Sequence, residues 1–164
     1  MEEEKLSEEE RLKDVARRFV KTLGLLHYCL AKEVVDTFGK EGEEAVKRAL
    51  RKYGTARGEA IRKAVESKGE ELSIENLGKN YDIPLGLIHE KKVVKVSQKN
   101  KLWREVYGCH LAKVVSELGG EKIGLLYCEQ DEALVKGYNP AITFDRKRNV
   151  LEGHECCETI WELV

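Results

Sequence analysis

The sequence predicts an α+β domain, with N-terminal helices packed on a roughly four-stranded antiparallel sheet and two further helices between the hairpins. Three observations predict it. Apolar residues recur at three- and four-residue spacing through most of 8–67. Short alternating runs then appear around 93–96, 102–107, 141–146 and 154–163. Turn residues, Lys99-Asn100 and Asn139-Pro140, separate periodic segments. No repeat or long linker divides the chain, so 1–164 is expected to be a single domain, mainly helical over 1–80, with sheet and helices over 91–164.

Ser7-x-x-Glu10 is a capping box, and Leu12, Val15, Ala16, Phe19, Val20 and Leu23 follow with helical period, so the first helix starts near Glu8. Gly24 is a point where it could kink or end. Leu26, Leu30, Val34 and Phe38 carry the same period to Gly39, a good residue to follow a helix end, which gives one long helix or two in tandem. His27 rides on this helix as a packed or surface residue.

A second helix is expected over 41–67, with Val46, Leu50, Tyr53, Ile61 and Val65 as its stripe. Gly54 and Gly58 flank Arg57, and each costs about 1 kcal/mol relative to alanine in a helix interior. Close helix packing over small residues is the favoured account. The alternative is that the glycines clear space for a ligand whose anion Arg57 contacts.

Residues 71–80 read as a short helix and 82–86 as a loop. Val93, Val94 and Val96 mark a strand that pairs with 102–107. Gly108 ends that partner strand, so Cys109-His110 sits at a strand-to-helix junction ahead of Leu111, Val114, Val115 and Leu118. A helix N-terminus lowers a thiol pKa, which makes Cys109 the best-placed thiolate in the chain. Residues 121–136 read as one helix that carries Cys128 and Asp131 on one side and is capped by Gly137. After Asn139-Pro140 a strand over 141–146 leads through 147–153 to a last strand from His154. On that strand Cys157, Thr159, Trp161 and Leu163 share one face, and Cys156, Glu158, Ile160 and Glu162 the other.

Composition narrows the function. Lys and Arg total 29 against 30 Asp and Glu, a net charge of −1, so no global field favours nucleic acid or an anionic membrane. Charged residues reach 36% while Asn and Gln together number seven, the balance expected of a thermophile. The N-terminus MEEEKLSEEERL has neither the basic nor the apolar region of a secretion signal, and a cytoplasmic protein is expected. Five cysteines then read as free thiols or ligands rather than a disulfide framework. The chain is expected to act alone or as a small homo-oligomer, with a small-molecule substrate.

The run Cys128-x-x-Asp131, Asn139-Pro140 with a strand ending in Arg146, and Gly153-x-x-x-Cys157-Glu158 resembles the signature of the L-2-amino-thiazoline-4-carboxylic acid hydrolase family. Val106-x-x-Cys109 with Ala112, Glu117-Leu118-Gly119, and Tyr53-Gly54-x-x-Arg57-Gly58 are also similar to it, so the resemblance covers 38–163. Glu158-Thr159 stands where the family usually carries Asp-Phe or Asp-His, a difference expected to bear on the substrate.

The resemblance implies a hydrolase that opens a cyclic isothiourea. Water must add to the amidine carbon, which calls for a base, an acid for the ring nitrogen or sulfur, and a cation for the substrate carboxylate. Asp131 is the candidate base, and Cys128, Cys157 and Cys109 are the candidate nucleophiles or proton donors. Arg57 or Arg146 is the candidate carboxylate clamp, and Asn139 and His110 complete the expected substrate-binding set. No cofactor and no metal are expected. One alternative is a metal held by Cys109, Cys128, Asp131 and Cys157, although no C-x-x-C knuckle announces it. Another is a non-catalytic binding or sensor domain, since the architecture also resembles the vinyl-reductase-type ligand-binding domains.

Overall fold

The computed structural model describes residues 7–83 and 89–164. Residues 84–86 of the loop expected at 82–86, and the acidic residues before Ser7, lie outside them. The elements are α1 (Glu8–Glu66), α2 (Ile74–Lys79), β1 (Lys91–Gln98), β2 (Lys101–Tyr107), α3 (His110–Glu117), α4 (Glu121–Tyr127), α5 (Glu129–Tyr138), β3 (Ile142–Arg148), a short 3-10 turn (Val150–Glu152) and β4 (Cys157–Leu163).

The capping box forms as expected, with Ser7 Oγ accepting from Glu10 N and Glu10 Oε2 accepting from Ser7 N. From there α1 runs 59 residues and departs from helical geometry at Gly39, where φ is 56° and ψ −131°. A side chain would resist that left-handed backbone, so glycine places the break between the two expected helices. Gly24 neither kinks nor ends the helix; it is buried against Leu111. The apolar stripe in the first half of α1 is wider than the surface that covers it. Val20 is buried there, whereas Leu12, Val15, Phe19, Leu30 and Phe38 are exposed.

The second half of α1 lies along α5 with the backbones nearly touching. A Cβ added at Gly54 would collide with the Gln130 carbonyl, and one added at Gly58 with that of Leu134. Gly137 makes the reciprocal approach to Thr55. Close packing therefore accounts for both α1 glycines. Ile61 and Val65 of α1, Ile74 and Leu77 of α2, and Leu134 and Tyr138 of α5 form the main core with Ile142 and Trp161. A second cluster joins Val20 to Leu111, Ala112, Val115 and Leu151.

The sheet is antiparallel throughout, in the order β1-β2-β4-β3. Its register aligns Leu102, Arg104 and Val106 of β2 with Trp161, Thr159 and Cys157 of β4. Phe144 and Arg146 of β3 then pair with Trp161 and Thr159. Because side chains alternate, these residues share the face turned to the helices. The expected alternation in β4 is thus observed, with Thr159 and Trp161 buried. The 121–136 helix is corrected to two, since the chain breaks at Cys128, which ends α4 and precedes α5. No helix among the described residues is long and apolar enough to cross a membrane.

Candidate functional site

Between the two core clusters lies a cavity of about 140 Å³. The sheet contributes Arg104, Val106, Phe144, Arg146, Cys157, Thr159 and Trp161; the helices contribute Val20, Leu23, Arg57, Leu111, Ala112, Tyr127, Gln130 and Asp131. Cys109, Cys128 and Asn149 line it from the junctions between elements, and Tyr81, Ile83 and His89 also line it. All four candidate catalytic residues, Cys109, Cys128, Asp131 and Cys157, therefore converge on one space, although they come from three separate parts of the chain.

Asp131 is held from both sides. Its Oδ2 accepts from Arg146 Nη2 at 2.6 Å, and its Oδ1 accepts from Gln130 Nε2. Arg146 Nη2 also donates to the Cys128 carbonyl at 2.9 Å, tying β3 to the α4–α5 break. Burial pushes the Asp131 carboxyl above its ordinary value despite Arg146 beside it.

Arg57 is equally occupied. Its Nε and Nη2 donate to the two oxygens of Asp82 at 2.7 and 2.6 Å, and its Nη1 donates to Gln130 Oε1 at 2.5 Å. The Tyr53 and Tyr81 rings stand 5.3 and 5.5 Å from its guanidinium carbon. The bidentate Asp82 partner makes the arrangement rigid. Both candidate clamps thus reach the cavity wall with an internal carboxylate already in place.

The thiols differ from the expectation for Cys109. It does precede the first residue of α3, and the N–H groups of Ala112 and Leu111 favour its thiolate, but burial outweighs them and raises its pKa. A helix N-terminus activates a thiol only where solvent can share in stabilising the charge. Burial likewise pushes Cys128 up to about 12 and Cys157 up to about 11. These three groups stand in the cavity as neutral thiols. Asn149, 1% exposed, links two of them: its Nδ2 is 3.5 Å from Cys128 Sγ and its Oδ1 is 3.7 Å from Cys157 Sγ.

Two expected residues stand elsewhere. Asn139 caps α5, donating to the Leu72 carbonyl at 2.8 Å and accepting from Ala141 N at 3.0 Å. His110 is buried at the start of α3 outside the cavity lining. Cys29 is exposed and Cys156 fully buried. His27 is a packed residue, donating to the Ile123 carbonyl at 2.8 Å and edge-on to Tyr127. Among the described residues, no group of three or more His, Cys, Asp or Glu side chains is placed to hold a metal ion.

Sequence reasoning missed Asp82, Gln130, Arg104 and Asn149. Gln130 could have been found, since it adjoins Asp131. Arg104 lies in an alternating run whose inward face is signalled by Leu102 and Val106.

The sequence profile of the L-2-amino-thiazoline-4-carboxylic acid hydrolase family matches residues 12–161. The chain belongs to that family. Membership in the L-2-amino-thiazoline-4-carboxylic acid hydrolase family thus takes in every element from α1 to β4. A search of curated proteins gave no significant match. Among solved structures, the family member is similar to a trafficking protein particle complex subunit 3 from Naegleria fowleri covalently bound to palmitic acid. The TM-score is 0.57 at 13% identity, over 88% of this chain and 95% of that one. It is also similar to the phenol-responsive sensory domain of the transcription activator PoxR, with phenol. There the TM-score is 0.57 at 15% identity, over 88% of this chain and 74% of that one. At such identities the likeness is one of fold.

Proposed function

We propose that this family member binds a small organic molecule, about the size of a single ring, in the cavity between the sheet and the helices. The observation that carries this reading is a space of about 140 Å³ into which thiols, a carboxylate and arginines converge. A cavity of roughly 150 Å³ accepts benzene. Phenol, held by one structural neighbour, is of that size, whereas a long acyl chain like the palmitic acid of the other exceeds it. The test is calorimetric titration and thermal shift with phenol, 2-amino-thiazoline-4-carboxylate and palmitate. Binding of either ring compound with a raised Tm supports the reading. Binding of palmitate with no response to any single-ring compound overturns it.

A second reading, turnover of the bound molecule, is favoured by the raised pKa of Asp131 beside two neutral thiols. Asp131 takes a proton from water as the oxygen adds to the amidine carbon of a cyclic isothiourea such as 2-amino-thiazoline-4-carboxylate. Collapse of the adduct breaks a ring C–N or C–S bond, and the proton that Asp131 took from water passes to the departing atom, which restores the carboxylate. Thiols with pKa values near 11 and 12 are scarce as thiolates and weak as acids, so Cys128 and Cys157 act in this reading as neutral polar contacts to the ring rather than as nucleophiles. Release of a ring-opened product, followed by chromatography, separates turnover from binding alone.

A further inference from the structure

Three arginines and one carboxylate line the cavity, and their charges pair off unequally. Arg57 is matched by Asp82 and Arg146 by Asp131. Arg104 has no carboxylate within ion-pair distance among the described residues, and its buried Nε lacks a hydrogen-bond partner. Its guanidinium carbon lies over the Trp161 ring at 4.7 Å, a cation–π contact that leaves Nε without a hydrogen-bond partner. Across the strand pair from Arg104 is Thr159, whose buried Oγ1 is also without a partner. Buried polar groups left unpaired are uncommon and costly. Here they belong to adjacent residues that line the same cavity.

Resting on the reading that the cavity holds a small molecule, we infer that Arg104, with Thr159 beside it, is the specificity-determining residue that receives a carboxylate on that molecule. An arginine fork matches a carboxylate with two parallel hydrogen bonds, and the Thr159 hydroxyl can donate to the same group. The ligand then enters as an anion that supplies Arg104 with the directly bonded carboxylate it lacks among the described residues. A neutral isostere of the same shape leaves Arg104 without that bond, so the site binds it more weakly. Arg57 and Arg146 act in this arrangement as parts of the wall, each held by its own acid.

The test titrates wild type, Arg104→Gln, Arg104→Lys and Thr159→Val with benzoate, benzamide, 2-amino-thiazoline-4-carboxylate and phenol, using calorimetry and thermal shift. Wild type is expected to prefer benzoate over benzamide by roughly 10- to 100-fold, the range of a charged hydrogen-bonded contact. Arg104→Gln is expected to erase that preference while phenol binding survives, and Arg104→Lys to restore part of it. Thr159→Val is expected to weaken the acids several-fold. Equal affinity of wild type for benzoate and benzamide overturns the assignment, as does an undiminished preference in Arg104→Gln. Should Arg104→Gln fail to fold, Arg104→Lys decides: it keeps the charge but loses the planar fork, so an unchanged preference overturns the role. Wild type that binds phenol but neither acid refutes this inference and leaves the cavity reading standing. Wild type that binds none of the four refutes both.

Discussion

Arg146 Nη2 donates to Asp131 Oδ2 at 2.6 Å and to the carbonyl oxygen of Cys128 at 2.9 Å, so one guanidinium holds both members of the C-x-x-D pair against β3. The contact fixes where α4 stops and α5 begins. Arg146→Gln is expected to lower stability by about 1–3 kcal/mol, the range for a charged hydrogen bond. It should also move the Asp131 carboxyl further up, since Arg146 is the main influence holding it down. A carboxyl raised in the folded state stabilises most at pH below its unfolded value and loses that contribution as pH rises through the folded value. The variant should carry this loss to higher pH than wild type. Denaturant melts across the acid range, with NMR titration of Asp131, measure both effects.

If the bound molecule is turned over, Asp131→Asn removes the base while keeping the size of the side chain. The expected loss in rate is on the order of 100- to 10,000-fold. Fold retention is checked first by melting temperature, because Arg146 loses its counter-charge in the same variant. Full turnover in Asp131→Asn assigns the base elsewhere.

The cavity thiols should be slow nucleophiles. Alkylation at pH 8 followed by mass spectrometry is expected to label exposed Cys29 first and Cys128 and Cys157 much later. Their ordinary value is 9.0, and the folded protein holds them at about 12 and about 11. The native state therefore binds more protons than the unfolded state between those values, so stability falls as pH rises from about 9 toward 11–12. Replacing Cys128 with Ala should flatten that alkaline slope. Rapid labelling of Cys128 at neutral pH runs against the burial argument.

Gly54→Ala and Gly58→Ala should each cost about 1–3 kcal/mol or more, because the new methyl meets backbone carbonyls of α5 that cannot swing away. Gly78→Ala in α2 meets nothing within 4 Å and should stabilise by about 0.5–1 kcal/mol through helix propensity. Urea melts of the three variants separate close packing from propensity, and a mild effect at Gly58 contradicts the observed helix contact.

Asn149→Ala removes the amide that lies between Cys128 and Cys157 and accepts from Leu151 N at 3.0 Å. A buried donor left unpaired costs about 1–3 kcal/mol. Thermal unfolding reads the loss, and labelling of Cys157 in the folded variant should quicken as the 3-10 turn loosens.

Local rules in the sequence were enough for the capping box at Ser7, the break at Gly39, the hairpin turn at Lys99-Asn100 and the inward face of Cys157, Thr159 and Trp161. Each depends on residues a few positions apart, and period or turn chemistry reports such relationships directly. Cys128 and Asp131 were legible as neighbours for the same reason, although the helix carrying them is two helices rather than one. The charge balance of the cavity was decided by the tertiary structure alone. Arg57 meets Asp82 and Gln130, Arg146 meets Asp131, and Arg104 forms no ion pair among the described residues; these pairings span long stretches of chain that no spacing rule connects. Cys109 makes the same point through its protonation. Its place before α3 favours a thiolate by local logic, but the surrounding sheet and helices exclude the water a thiolate needs, and burial is a property of the assembled fold.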